Sequence, residues 1–531
     1  MNRGRPRQRR PGNDAGRFRE PPAEPPSGQA GAINRSRPIY EDTGRNRRRG
    51  GPRNGVPAAR WGNPAANRAR PGPGAAPPEE ERAALVLPDN PREAALRVLH
   101  AVDTRNAFSD RLLDAAHAHV PAGEGGDPRD QALLHELVKG TLRWRGRLDA
   151  VLDPMVHIGL TKVQPWIRNV LRLGAYQMLF LDRVPAHAAV DESVKLAHKY
   201  GHPGTAGLVN SVLRRLAEGK DAIQLPEGDD PESLAAWGSH PLWIVERWLD
   251  QFGLETTRAL MLADNRAARV GLRANPMKGT REQLAARLAS EGVATEPAAL
   301  APDLLWAEEH VVPSRLRAFR EGACTIQDES ECLVARLVGP QPHERVLDLC
   351  AAPGGKCTHL AELMGDEGEV WALERDAARA PAIETALARL GLHAVHVVQG
   401  DGRRYAFPMP FDRVLVDAPC SGLGVLARRA DARWRKGPEV FRELVPLQLE
   451  LLAAGGRQAR PGGVLVYSVC SFEPEETVNV VERFLRGNPS IVLESASGLV
   501  PDEVVDENGF MVVLPHRHGC DGAFAARFRK T

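Results

Sequence analysis

The 531-residue chain reads as a multidomain protein: an all-helical unit, then a small α+β module, then an α/β unit on a mostly parallel sheet, all behind a basic arm. Three observations carry that reading. Apolar residues recur at helical spacing, without strand-like alternation, from about residue 85 to 216. From Leu333 onward, apolar strand-like runs alternate with helical stretches, the pattern of a parallel sheet covered by helices on both faces. Residues 1–78 hold 14 Pro and 12 Gly, with Phe18, Tyr40 and Trp61 as the only aromatics. Such a segment buries too little apolar surface to offset its ordering entropy, so it is expected to stay disordered. The expected boundaries are 1–84 for the arm, 85–220 for the helical unit, 233–325 for the α+β module and 326–531 for the α/β unit.

Composition narrows the function classes. Apolar residues make up 42% and charged residues 26%, ordinary for a soluble globular protein. There is no run of about 18 apolar residues, which excludes a helical membrane span, and the first thirty residues lack the apolar stretch of a secretory signal. Seven cysteines, an odd number with no CxxC pair, exclude a disulfide scaffold and argue against a structural zinc site. Reduced thiols, a cytoplasmic location and no metal are the expectation. The net charge of +2 hides an asymmetry: residues 1–70 hold 17 Arg, no Lys and 5 acids, a net of +12 on a body that is therefore mildly acidic. A basic arm on such a body points to nucleic acid or another polyanion. Its arginines offer RNA phosphates a salt-sensitive attraction without sequence specificity; a solvated tail of no function has the same composition.

Taken in order, Asn90-Pro91 is a helix start, a capping side chain followed by Pro in the first turn, and Ala95, Leu96, Leu99 and Val102 continue at helical spacing. Asp130 precedes a second helix carrying Leu133, Leu134, Leu137 and Val138. Further helices are expected over 166–181, 188–200 and 205–216. Residues 217–232 read as a linker. Trp237, Trp243 and Trp248 fall together and are expected in a core; 270–275 reads as a short strand. In the last unit, strands are expected at 345–349, 369–373, 394–398, 413–416 and 464–467, with helices at 358–364 and 377–390. Ligands of such sheets bind beyond the carboxyl ends of the strands.

The chemistry-bearing motifs fall there. After the first strand comes Cys350-Ala351-Ala352-Pro353-Gly354-Gly355-Lys356, a small-residue loop opening a helix. Its glycines allow close backbone approach to a ligand, and the helix start offers free N–H groups. It is neither GxGxxG nor a Walker loop, and composition alone also fits a plain β–turn–α connection. Glu374 ends the next strand, where an acid hydrogen-bonds ribose hydroxyls in nucleoside-binding sheets; Asp401 follows the third. Asp417-Ala418-Pro419-Cys420-Ser421-Gly422 follows the fourth, and Tyr467-Ser468-Val469-Cys470-Ser471 the fifth. If those strands are neighbours, Cys420 and Cys470 face one crevice. A single buried Cys is usually an inert small hydrophobe; two beside one loop suggest chemistry.

The joint pattern resembles the Sun (Nol/Nop/Sun) family of S-adenosylmethionine-dependent RNA cytosine-5 methyltransferases. The stretch 182–216, with Asp191-Glu192 and Val209-Asn210-Ser211-Val212-Leu213, resembles the NusB-like domains fused to some RNA methyltransferases. Leu514-Pro515-His516 and Asp521-Gly522-Ala523-Phe524 fit the family's last strands. The resemblance spans about 88–531. It implies a Rossmann-like catalytic domain, a NusB-like RNA-binding domain and a small RNA-binding module. It also implies S-adenosylmethionine as cofactor and small-subunit ribosomal RNA as substrate; a monomer is expected. It assigns the nucleophile to Cys470 and product release to Cys420. Asp417 would bind the pyrimidine edge, Lys356 would assist orientation or charge stabilisation, and Cys350 to Lys356, Glu374, Arg379, Asp401 and Asp417 would line the cofactor pocket. The chain departs from the family pattern at Val469, Leu423, Ala427, Thr477 and Glu374, none of which removes a reacting group. A DNA cytosine-5 methyltransferase, with Cys420 as nucleophile, and a non-catalytic RNA-binding factor are the alternative readings.

Overall fold

The computed structural model describes residues 87–118, 127–219, 223, 226, 228–308 and 311–531; the expected disordered arm lies outside them. The first unit is helical throughout: α1 (Pro91–Arg105), α2 (Ser109–Ala118), α3 (Pro128–Arg143), α4 (Arg145–Leu152), α5 (Pro165–Phe180), α6 (Ala186–Tyr200) and α7 (Pro203–Gly219). The Asn90 side chain accepts from the N–H groups of Arg92 and Glu93, so α1 starts where the sequence places it. α3 starts earlier than Asp130 predicts, because Asp127 caps it and Pro128 fits the first turn. The expected apolar stripes meet in one core that includes Leu96, Leu99, Leu137, Leu148, Val170, Val209 and Leu213.

Two helices follow, α8 (Pro231–Gly238) and α9 (Leu242–Asp264), the latter bent at Gly253, whose φ is 76°. Trp248 is fully buried between them and the last unit, and Trp237 and Trp243 pack against the same cluster. The module proper is an antiparallel sheet of β1 (Gly271–Ala274), β2 (Thr295–Pro297), β3 (Leu304–Ala307) and β4 (Cys324–Ile326), in the order β2-β3-β1-β4, with α10 (Arg281–Ser290) against it.

The third unit opens with α11 (Glu329–Val338). It continues through β5 (Arg345–Asp348), α12 (Gly355–Leu363), β6 (Glu369–Glu374), α13 (Ala380–Leu390), β7 (Val395–Gln399), β8 (Phe411–Asp417) and α14 (Val440–Gln458). It closes with β9 (Ala459–Val469), α15 (Val478–Gly487), β10 (Ile491–Glu494), β11 (Met511–Val513) and β12 (Ala523–Lys530). The strand order is β10-β12-β9-β8-β5-β6-β7, with β11 paired to β12. Strands β5 to β9 run parallel, while β12 runs antiparallel to both β9 and β10. The sheet is thus a Rossmann-like mixed sheet. Leu514–His516 is not a strand: Pro515 opens a short helical turn, Pro515–His518, between β11 and β12. Chain order reverses at β5, flanked by β8 and β6, which opens a crevice beyond their carboxyl ends. Among the described residues, no helix is long and apolar enough to cross a membrane, and no His, Cys, Asp or Glu cluster is arranged to hold a metal.

Candidate active site

Strands β8 and β9 are parallel neighbours, with Asp417 opposite Ser468. Each chain therefore leaves the sheet at the same level, and the two following turns lie side by side. This brings Cys420 Sγ to 3.1 Å from Cys470 Sγ. Backbone bonds fix the pair of turns: Ala418 N–H donates to Ser468 O at 2.9 Å and Gly424 N–H to Cys470 O at 3.1 Å. Beneath them Glu476, fully buried, accepts from Ser421 N–H at 2.7 Å, from the Ser421 hydroxyl, and from Gln448 Nε2 at 3.0 Å. Gln448 also donates to Pro419 O at 3.0 Å.

Asp417, at the end of β8, stands beside the thiols. Its Oδ1 accepts from Ser468 Oγ at 2.7 Å and its Oδ2 pairs with Lys356 Nζ at 2.9 Å. Lys356 also faces Glu331 at 3.7 Å. Burial opposes its charge, yet Asp417 and Glu331 raise its pKa above the usual lysine value. The field then separates the two sulfurs. The hydrogen bond from Cys420, with the positive charges of Arg429 and Lys356, favours thiolate at Cys470 and lowers its pKa. Cys420, beside that charge, buried and near Glu476, is pushed well up.

The loop after β5 packs across β6. Ala351 N–H donates to Leu373 O at 3.0 Å and Ala352 N–H to Glu374 Oε2 at 3.3 Å. Glu374 Oε1 accepts from Asp376 N–H at 2.8 Å. Arg379 spans the two elements, donating to Ala352 O at 2.6 Å and facing Glu374 at 3.6 Å. Gly354 lies at φ 111°, which only glycine adopts freely, and Gly355 begins α12. Asp401 follows β7 on the same sheet edge, but its carboxylate is engaged by Arg403, which holds its pKa down to about 2. Cys350, Ala351, Ala352, Pro353, Gly354, Gly355, Lys356, Glu374 and Arg379 thus form one continuous ledge, with Asp417 and the thiols at one end.

Asp348, Glu331, Arg429, Lys436 and Glu476 also meet here, and the sequence motifs alone assign none of them to the site. Asp348 ends β5, the same signal that singled out Glu374 and Asp417. It is fully buried, its Oδ2 has no hydrogen-bond partner, and burial followed by the nearby Asp417 pushes its pKa up to about 7. The others reach the crevice only through tertiary packing, and no local pattern marks them.

Comparison with known proteins gives this site its context. A Bacillus subtilis (strain 168) protein named "Probable ribosomal RNA small subunit methyltransferase B" is 36% identical over 446 residues, covering 83% of this chain and 98% of its own. The chain belongs to the RsmB/F family of 16S rRNA methyltransferases. The RsmB/F methyltransferase model matches residues 335–529, which hold both thiols and the ledge. A NusB family model matches 89–218, and a ferredoxin-like domain model of RsmF/B-like methyltransferases matches 240–311. Ribosomal RNA small subunit methyltransferase B of Salmonella typhi is 34% identical over 405 residues, 76% of this chain and 91% of its own. Among solved structures, that of PH0851 superposes with a TM-score of 0.71 at 26% identity, covering 84% of this chain and all of the other. The RsmB/F architecture of helical domain, ferredoxin-like module and Rossmann-like catalytic domain is therefore that of this chain.

Proposed function

We propose that the protein transfers a methyl group from S-adenosylmethionine to C5 of a cytosine in small-subunit ribosomal RNA. The reaction runs through a covalent bond between Cys470 and cytosine C6 that is resolved with the help of Cys420. The observation that carries this reading is the pair of thiols 3.1 Å apart at the ends of adjacent strands, beside the Asp417–Lys356 ion pair.

The residues fit the cofactor. Gly354 and Gly355 leave the loop bare at the start of α12, and Asp348 supplies a buried carboxyl oxygen without a partner. Glu374 would hydrogen-bond the ribose hydroxyls, with Cys350 to Gly355, Arg379 and Asp401, the last still paired with Arg403, along the pocket and Lys356 and Asp417 toward the target cytosine. When bound, S-adenosylmethionine supplies an electrophilic methyl group. The protein supplies the activation. Cytosine C5 is a poor nucleophile; attack of the Cys470 thiolate on C6 pushes electron density to C5. Asp417, held by Lys356 and Ser468, hydrogen-bonds the pyrimidine edge and supports protonation at N3. After C5 takes the methyl group, loss of its proton and cleavage of the Cys470–C6 bond restore the ring and free the thiolate. Cys420, kept protonated beside Cys470, assists that release.

Under this reading the units are 85–220 and 233–325, which grip RNA, and 326–531, which carries the chemistry. The protein acts as a cytoplasmic monomer without metal. The test is transfer of labelled methyl to unmodified small-subunit ribosomal RNA and, in parallel, to duplex DNA, followed by nucleoside analysis. Label in 5-methylcytidine of RNA alone is expected. Label in DNA, or in a different nucleoside, would overturn the reading.

A further inference from the structure

The segment that follows Cys420 leaves the catalytic sheet and enters the helical unit. Ala430 is fully buried within the core that α1 to α7 build. Around it, groups of the helical unit take hold of the segment. Ser109 Oγ donates to Asp431 Oδ1 at 2.8 Å, and Lys139 Nζ donates to Arg428 O at 3.2 Å. Trp434 Nε1 donates to Leu142 O at 2.7 Å. Arg435 donates to Asn106 Oδ1 at 3.0 Å and lies 3.7 Å over the Phe108 ring.

The residues on either side of the gripped stretch return to the thiols. At its start, Gly424 N–H holds Cys470 O. At its end, Lys436 Nζ donates to Ser421 O. A Cβ placed on Gly422 would lie 3.6 Å from Lys436 Nζ and 3.9 Å from Cys470 Sγ, so this cation and the nucleophile flank one glycine. Arg429 sits between the two clamps formed by Arg428 and Ala430.

We propose that the helical unit is a positioning element of the catalytic site: by gripping residues 428–435 it sets Lys436 and Arg429 against the Cys420–Cys470 pair, and so sets the reactivity of Cys470. This goes beyond an RNA-binding role for the unit, and it rests on the reading of Cys470 as nucleophile. The titratable groups facing Cys470 are Asp417 from β8, Lys356 from α12 with Glu331 of α11 behind it, Cys420 with Glu476 below it, and, from the gripped residues and the position just after them, Arg429 and Lys436, the latter with its own pKa lowered by burial. Only the last two depend on the helical unit. Loosening the grip removes positive charge while Asp417 and Lys356 stay in place. The thiolate is then disfavoured without loss of the fold.

The test is alkylation of Cys470 by iodoacetamide as a function of pH in the full chain, read by peptide mass spectrometry. The variants are Lys436→Met and the double variant Ser109→Ala/Lys139→Met. Both are expected to shift the alkylation profile to higher pH and slow the reaction at pH 7 by about three- to tenfold. Lys139→Arg alone is expected to keep the native profile. An unchanged profile in the double variant overturns the proposal, even where Lys436→Met shifts it. If the double variant melts early, Ser109→Ala alone, which removes the bond to Asp431 and the longer one from Lys139 Nζ but leaves Lys139 on Arg428 O, is expected to give a smaller shift of the same sign; no shift there also overturns it. A Cys470→Ala protein that still methylates RNA would refute the functional reading but leave the alkylation result standing, so the two failures are distinct.

Discussion

Two sulfur atoms 3.1 Å apart cannot both carry charge easily, so the site must choose one, and its neighbours do the choosing. Lys356 and Arg429 favour the thiolate at Cys470, while Glu476 and burial keep the proton on Cys420. Glu476 is also the floor of the site. Glu476→Gln keeps the acceptor for Ser421 N–H and Gln448 Nε2 with its amide turned to the Ser421 hydroxyl, but turns charge-assisted bonds into neutral ones, and should destabilise the protein by about 1–3 kcal/mol, seen as a lower melting temperature. Asp348 gives a pH signature. Burial and Asp417 raise its pKa to about 7, whereas the unfolded chain releases that proton near the ordinary carboxyl value. Keeping the proton therefore costs stability increasingly as pH rises from about 4 to 7, and by a constant amount above that. Asp348→Asn removes a group that ionises. The variant should gain stability relative to the native protein across that window, by up to about 4 kcal/mol, with no further gain at higher pH. Denaturant melts at pH 4, 5.5, 7 and 8.5 check this; a gain that shrinks with rising pH would contradict it.

At the level of elements, the ends of β5, β6, β8 and β9 do the positioning, and these were the most legible parts of the sequence. Each ends in an apolar run that stops at an acid or a small-residue turn, so Glu374, Asp417, Cys420 and Cys470 stand out locally. The loop before α12 was legible for the same reason. Its Gly354, at φ 111°, would place a Cβ 3.4 Å from the Ile383 backbone. Gly354→Ala should cost about 1–2 kcal/mol of stability and weaken S-adenosylmethionine binding in a calorimetric titration. Unchanged binding would argue against this loop as the cofactor cradle. Other elements were hidden. The helix α14 carries Pro446 in its interior and Gly455-Gly456 near its end, residues that read as breakers. The structure explains the glycines: a Cβ on Gly455 would come within 2.6 Å of Val416 Cγ2, so the helix lies on β8 closely enough to require them. Asp401 was legible as an acid on the right edge, but its pairing with Arg403 was not, although Arg403 lies two residues away.

On the scale of the whole molecule, the three-unit order was visible in the change of periodicity from helical to alternating, and the described helices and sheets follow it. What periodicity cannot convey is how the units meet. Arg433 is fully buried and donates to Ser239 O at 3.1 Å, Asn265 Oδ1 at 2.9 Å and Asp264 O at 3.0 Å, fastening the segment after Cys420 to α8 and α9. No local pattern in 423–436 announces that it joins all three units, yet it carries Arg429 and Lys436, two of the cations that face the thiols. In the proposed reaction Cys470 attacks the base and Cys420 releases it. The most direct measurement incubates each cysteine variant with S-adenosylmethionine and small-subunit ribosomal RNA, then looks for a protein–RNA adduct that survives denaturation and maps its attachment. No methylation and no adduct are expected with Cys470→Ala, and a trapped adduct on Cys470 with Cys420→Ala. An adduct carried by Cys420 in the Cys470→Ala protein would contradict the proposed reaction.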